Sequence, residues 1–232
     1  MSKSLLITID GPAGSGKSTA AKYLAERLGF VYLDTGAMYR AITYAALRNN
    51  IVDNKEAVIE LVRKIDLKLD FVNGITRVFL DDEEVTEQIR TPEVNSKVSE
   101  ISVIAEVREE LVKLQRKIGE KGGLVAEGRD TTTVVFPDAD VKIYLTASLD
   151  RRVERRYQEY IAKGRKISKE EVKDNIKKRD IIDSGRSISP LMKADDAIEL
   201  DNTSTPIEEE IENILKIISE KRNNKKSESH LN

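Results

Sequence analysis

The chain has 232 residues, 39% of them apolar, which is enough to bury one good core with room for a small insert. It holds no cysteine and a single histidine, His230 in a polar tail, which excludes disulfides, cysteine-ligated zinc, a thiol nucleophile and histidine catalysis. Lysine plus arginine number 39 against 41 aspartates plus glutamates, and no apolar run nears the ~20 residues of a membrane span, so the expectation is a cytoplasmic protein that binds neither nucleic acid nor membrane; nothing calls for more than a monomer.

The first predicted strand, Leu5 to Ile9, is apolar and β-branched, as a buried parallel strand should be. It runs into Gly11, Pro12, Ala13, Gly14, Ser15, Gly16, Lys17 and Ser18, a complete G-x-x-x-x-G-K-[ST] loop. From Thr19 to Leu28, the residues Ala20, Ala21, Leu24, Ala25 and Leu28 recur at helical spacing. Strand, glycine loop and helix in this order let backbone N–H groups close around a polyphosphate at the positive end of a helix. Lys17 would neutralise its β and γ phosphates, and the Ser18 hydroxyl would ligate Mg²⁺. Gly11 to Thr19 are therefore the expected nucleoside-triphosphate-binding residues, with Mg²⁺ carried in by the nucleotide.

A short strand at Val31 to Leu33 and a helix from about Gly36 to Asn49 follow, then a helix from about Asn54 to Lys64 opened by the capping box Asp53-x-x-Glu56. Asp66 to Val72 and Ile75 to Leu80 alternate as strands do, and Asn73-Gly74 between them is a hairpin signal. Thr91-Pro92 can cap and open the next helical stretch, and a longer helix spans about Ile104 to Ile118. The hairpin marks a small inserted lobe at about residues 64–102. Gly123 to Ala126 and Val141 to Leu145 are further strands; Ser148 can cap an arginine-rich helix, Ser168-x-x-Glu171 is a capping box, and Thr205-Pro206-x-Glu208 caps the last helix after a strand at Ala197 to Leu200. Five parallel strands with crossover helices predict a P-loop three-layer α/β fold, its phosphate site at the C-terminal ends of the strands. The expected organisation is one kinase domain over 1–221, with core 1–63 and 103–221, a lid at about 150–166, and a disordered tail from 222 to 232.

The acceptor of the phosphate is narrowed by exclusion. No aspartate has a glycine three positions on, and the only Asn-Lys pair, Asn54-Lys55, continues Glu56-Ala57, so the switch and guanine-reading motifs of a regulatory GTPase are missing. A kinase for a small anionic acceptor fits better, with Arg40, Arg108, Arg129, Arg179 and Arg186 available for a second phosphate site. Kinases for UMP or AMP and a noncatalytic nucleotide-binding regulator stay open on this evidence. Arg151, Arg152, Arg155 and Arg156 form either a solvated helix face paired with Glu154 and Glu159 or a lid that closes over the triphosphate. Asp34 can cap the following helix or stand near Mg²⁺; Glu127 can be an acid at a strand end or simply the residue before Gly128.

Four ordered motifs then carry a resemblance: Asp34-Thr-Gly-Ala-Met-Tyr-Arg40, Gly128-Arg-Asp130, Val134-Val-Phe-Pro-Asp-Ala139 and Arg179-Asp-x-x-Asp183-x-x-Arg186. With the phosphate loop, they make the chain resemble the bacterial-type cytidylate kinases of the nucleoside monophosphate kinase group, from Ile7 to about Ile218. The resemblance implies transfer of a phosphoryl group from MgATP to CMP and dCMP, with the insert as the CMP-binding lobe. It implies that Arg40 and Arg129 grip the CMP phosphate and that Thr35, Arg108, Asp130 and Arg186 surround the cytosine with Tyr39 close by, while Ser99, Arg179 and Asp183 hold the ribose. Lys17, Arg129 and the lid residues Arg152, Arg155 and Arg156 would serve catalysis, and Arg151 would remain on the surface. One departure stands out: Thr131-Thr-Thr133 replaces the family's usual glycine two residues past Asp130, and a β-branched residue cannot take positive φ without strain, so the backbone there is expected to run differently.

Overall fold

The computed structural model describes the backbone of residues 5–72, 75–162 and 164–229, and side chains as far as residue 222, Ile75 excepted. Its centre is a five-stranded parallel sheet made of β1 (Leu6–Asp10), β2 (Val31–Asp34), β6 (Leu124–Gly128), β7 (Val141–Thr146) and β8 (Ile198–Asp201), in the order β2-β6-β1-β7-β8. β1 is therefore central, with β6 on one side and β7 on the other. The crevice at its C-terminal end is the place where open α/β sheets bind ligands.

Helices cover both faces. On one, α1 (Lys17–Leu28) and α8 (Ile207–Ser229) bury Leu24, Ile211, Ile214 and Ile218 against Ile7, Ile9, Ile143 and Leu145. On the other, α2 (Thr35–Arg48), α3 (Lys55–Lys64) and α5 (Ala105–Gly119) close over Leu33, Leu124 and Ala126. Asn54, one residue later than the sequence suggests, caps α3 by accepting from the Ala57 N–H at 3.0 Å.

The insert contains an antiparallel sheet of β3 (Leu67–Val72), β4 (Ile75–Leu80) and β5 (Glu83–Glu84), then a 3-10 turn and α4 (Pro92–Ser102), which Thr91 caps with Pro92 in the first turn. The β3–β4 register pairs Val72 with Ile75, and the expected Asn73-Gly74 turn lies outside the described residues. Its apolar side chains Val78, Leu80, Val85, Ile89, Val98 and Ile101 join the same core as Met38 and Ile42 of α2. The lobe thus shares its core with the body and has none of its own.

After β7, α6 (Leu149–Ala162) and α7 (Lys169–Gly185) form a helical pair with a small apolar cluster of Val153, Val172 and Ile176. Ser148 accepts from the Arg151 N–H at 3.3 Å at the head of α6, and Ser168 with Glu171 forms the capping box of α7. The backbone of α8 is helical through Ser229, past Arg222 where the disordered tail is expected to begin; residues 230–232 lie outside the described residues. The run there is polar but holds neither proline nor glycine, and extending a helix already nucleated on the core costs little.

Candidate active site

The phosphate loop is shaped by contacts that only glycine permits. A Cβ on Gly11 would lie 2.0 Å from the Leu145 carbonyl oxygen of the neighbouring strand, and Gly16, the N-cap of α1, has φ 99°. Lys17 is 5% exposed and donates to the Pro12 carbonyl at 2.8 Å and toward Ser15 Oγ at 3.4 Å. Burial, helped by the Arg129 guanidinium, pulls its pKa down to about 7 against the pull of Glu127, Asp10 and Asp183. Such a lysine is held ready for an anion. Ser18 Oγ donates to Glu127 Oε1 at 2.6 Å, and Tyr32 Oη donates to the same oxygen at 3.2 Å. Glu127 is thus an acid of the site and not only the residue before Gly128.

Two arginines of α6 brace the loop from outside. Arg152 donates to the Ala13 carbonyl at 3.0 Å, the Ala147 carbonyl at 3.1 Å and Asp180 at 2.7 Å. It faces away from the cleft, which corrects its expected place on the transferring phosphoryl group. Arg151 is exposed, as expected, and stands at the rim of the cleft. Arg155 donates to the Ser15 carbonyl at 3.3 Å and to Asn202 Oδ1 and the Asn202 carbonyl at 3.0 Å each. Asn202 in turn donates to the Ser15 carbonyl at 2.8 Å and to Glu210 at 2.6 Å.

The other end of the cleft comes from α2, α4, α5, β6 and α7. Asp34 caps α2 through the Ala37 N–H at 2.8 Å and pairs with Arg40 at 2.9 Å and Arg90 at 3.5 Å. Burial alone would raise its pKa, but the two guanidiniums hold it below the usual carboxylate range. Arg129 pairs with Asp183 at 2.8 Å, and Arg186 approaches the same carboxylate at 3.9 Å. Arg108 donates to the Ser102 carbonyl at 3.0 Å and pairs with Asp130, both buried, while its guanidinium sits 5.1 Å from the centre of the Tyr39 ring. Thr35 Oγ1 donates to the Glu127 carbonyl at 2.8 Å, and Ser99 lines the wall.

Arg179, expected at the ribose, lines the same cleft as Asp183. Burial and then Arg129 lower its pKa to about 10 against the pull of Asp183, with Arg156 and Arg40 adding to the lowering, so it sits beside the expected ribose residue Asp183 as well as near the other guanidiniums. Asp130 keeps its place in the cleft despite the threonines after it. Residues Thr131–Val135 make one π-helical turn, and none of the three threonines has positive φ, so the expected strain does not arise.

The two halves of the site open into one cleft of about 870 Å³. It is lined by Gly14, Gly16, Lys17, Ser18 and Thr19 on the loop side, and by every acceptor-side residue expected from the sequence. Gly11, Pro12, Ala13, Ser15 and Arg152 shape the loop from behind without lining the cleft. Sequence reasoning passed over Lys22, Arg90 and Asn202; only Asn202, just past the last strand, carried a positional signal. Twelve basic side chains line the space against seven acidic ones, in a chain whose net charge is −2. The positive charge is concentrated in the cleft, which suits it to anionic ligands. Arg165, past α6, donates to the Arg90 carbonyl at 3.4 Å, joining the α6–α7 arm to the insert across the mouth.

Among the described residues no three or more His, Cys, Asp or Glu side chains gather as a metal cluster. Mg²⁺ needs no such cluster: it keeps waters and substrate phosphates as ligands and takes one or two hard oxygens from the protein. Ser18 and Glu127, hydrogen-bonded to each other at the loop, fit that demand.

A parallel sheet with a phosphate loop at its switch point, facing an arginine-lined recess under an inserted lobe, defines a P-loop phosphotransferase of the nucleotide-kinase kind. A family model described as cytidylate kinase matches residues 7–220. Curated cytidylate kinases of Bacillus cereus (strain ATCC 10987 / NRS 248) and Bacillus thuringiensis (strain Al Hakam) are each 48% identical over 220 residues, covering 94% of this chain and 98% of theirs. The chain belongs to the cytidylate kinase family. A solved structure of an uncharacterized protein from Eubacterium ventriosum ATCC 27560 shares the fold, with a TM-score of 0.50 at 15% identity, covering 94% of this chain and 99% of that one.

Proposed function

We propose that the chain transfers the γ-phosphoryl group of ATP to the 5′-phosphate of CMP, and of dCMP, giving ADP and the nucleoside diphosphate. The observation that carries this reading lies in the acceptor half of the cleft. Arg40 Nε, Arg108 Nε, Arg179 Nε, Arg186 Nη2 and Tyr39 Oη are buried without a hydrogen-bond partner there. Buried polar atoms are ordinarily satisfied, so a set of unpaired donors calls for an acceptor-rich ligand such as a phosphate and a pyrimidine O2/N3 edge.

In this reading Arg40 and Arg129 hold the acceptor phosphate, Ser99, Arg179 and Asp183 the ribose, and Thr35, Arg108, Asp130 and Arg186 the cytosine, with Tyr39 beside it. Lys17 lies on the donor phosphates. Arg155 and Arg156, with Arg151, come from the arm above. Mg²⁺, held by Ser18 and Glu127 when it arrives with ATP, would neutralise charge on the β and γ phosphates. The acceptor phosphate has a second pKa of about 6 and is already ionised at neutral pH, so no general base is required. The protein's work is to offset the repulsion between two polyanions and to align them.

The same reading makes the chain a cytoplasmic monomer that acts on two small molecules without nucleic acid or membrane. The confinement of excess positive charge to the cleft supports it, and no described helix is long and apolar enough to cross a membrane. The test is coupled ADP release with CMP, dCMP, UMP, AMP and GMP at saturating ATP. CMP and dCMP should turn over fastest; preferred use of AMP or UMP, or slow turnover indifferent to any acceptor, would refute the assignment.

A further inference from the structure

Asp10 takes no part in the reaction as described, and its surroundings are unusual for a residue kept only for packing. It ends β1, is fully buried, and does not line the cleft. Its Oδ1 accepts from the Thr131 N–H at 3.0 Å and Thr131 Oγ1 at 2.7 Å; its Oδ2 accepts from the Thr132 N–H at 2.7 Å and Thr132 Oγ1 at 2.6 Å. Four donors on two oxygens is the full capacity of a carboxylate, and no neutral side chain of that size could receive them all. The residue after Asp10 is Gly11, the first of the phosphate loop, and the residues before Thr131 are Arg129 and Asp130. The β1–β6 ladder ends at the pair Asp10 and Gly128, so past that point the sheet supplies no further rung between donor loop and acceptor turn. The carboxylate continues the connection where the ladder stops.

We infer that Asp10 is a positioning residue: through Thr131 and Thr132 it fixes the Arg129–Asp130 turn against the phosphate loop and so sets the distance across which the two phosphates meet. The threonines belong to the device, because each contributes a hydroxyl where its own amide already points. The inference rests on the kinase reading above.

The test is Asp10→Asn, which keeps one accepting oxygen and turns an NH₂ toward a main-chain N–H that cannot reverse its role. Its kcat for CMP phosphorylation should fall about 10- to 100-fold, as displacement of aligned reactants by about 1 Å does. Its Kd for ATP alone, read by calorimetry at about pH 5.5, where Lys17 is charged with or without the Asp10 carboxylate beside it, should stay within about twofold of wild type. A residue needed only for stability would lower Tm and leave kcat alone. Thr132→Val should lose several-fold in kcat and Thr132→Ser should recover it; Asp10→Asn combined with Thr132→Val should lose little beyond Asp10→Asn, since the two act as one unit. If Asp10→Asn does not fold, Thr131→Val and Thr132→Val carry the test. A kcat within twofold of wild type in the asparagine variant, or in both valine variants, overturns the role of Asp10 and leaves the kinase reading standing. Absence of CMP phosphorylation by the wild-type protein overturns both.

Discussion

Asp130→Asn should separate base selection from catalysis. Asp130 is 4% exposed and its partner Arg108 2%, so in the function proposed above the pair would meet the base at a buried wall, where a mismatched polar contact is poorly relieved by water. A carboxylate accepts from the N4 amine of cytosine and faces the O4 acceptor of uracil. The first contact is a hydrogen bond to a charged group and the second leaves two acceptors opposed, which together are worth about 2–4 kcal/mol, or about 30- to 1000-fold in kcat/KM for CMP over UMP. Asparagine can turn its amide to suit either base, so the variant should lose CMP activity and narrow that ratio. It also leaves the buried Arg108 facing a neutral partner. Removing one member of such a pair outright costs about 3–5 kcal/mol; the retained amide oxygen should limit the loss to about half of that and lower Tm by several degrees. The measurement is the ratio of kcat/KM for CMP and UMP at saturating ATP, with thermal unfolding alongside. A stable variant with an unchanged ratio would refute the reasoning and shift discrimination to Thr35 or Arg186.

Other perturbations test the donor site and the phosphate clamp. Lys17→Ala should cost at least ~100-fold in turnover, because the charge acts mainly as the phosphoryl group moves; a few-fold loss would contradict its placement. The Lys17 pKa near 7 in the free protein gives a proton-linkage test. Bound phosphates raise that pKa, so above pH 7 ATP binding must take up a proton and affinity should fall as pH rises, whereas below pH 7 Lys17 is already charged and adds no uptake. Calorimetry in buffers of different ionisation enthalpy reads this directly, and equal proton uptake by wild type and Lys17→Ala at pH 8 would contradict it. Arg40→Ala and Arg129→Ala should each impair CMP use while ATP binding alone holds; equal loss of ATP affinity would move both residues to the donor side.

The elements whose signals are local were legible from the chain alone. Strand, loop and helix from Leu6 to Leu28 are contiguous, so the spacing of Gly11, Gly16 and Lys17 was enough to place an anion site at a helix N-terminus. The caps at Thr91, Ser148 and Ser168 act within three residues and were equally plain, as was the alternation of β3 and β4. Tertiary structure decided the rest, because it turned on which face of an element looks where. Arg151 and Arg152 are adjacent and chemically identical, yet one helical step of about 100° leaves Arg151 exposed at the rim of the cleft and buries Arg152 under the phosphate loop; that phase goes with the packing of Val153 against Val172 and Ile176. Asn202 meets Ser15 across 187 positions and Asp10 meets Thr132 across 122. Such meetings depend on the order and register of β1, β6, β7 and β8. Parallel neighbours are joined through distant crossovers, so no window of sequence contains both partners.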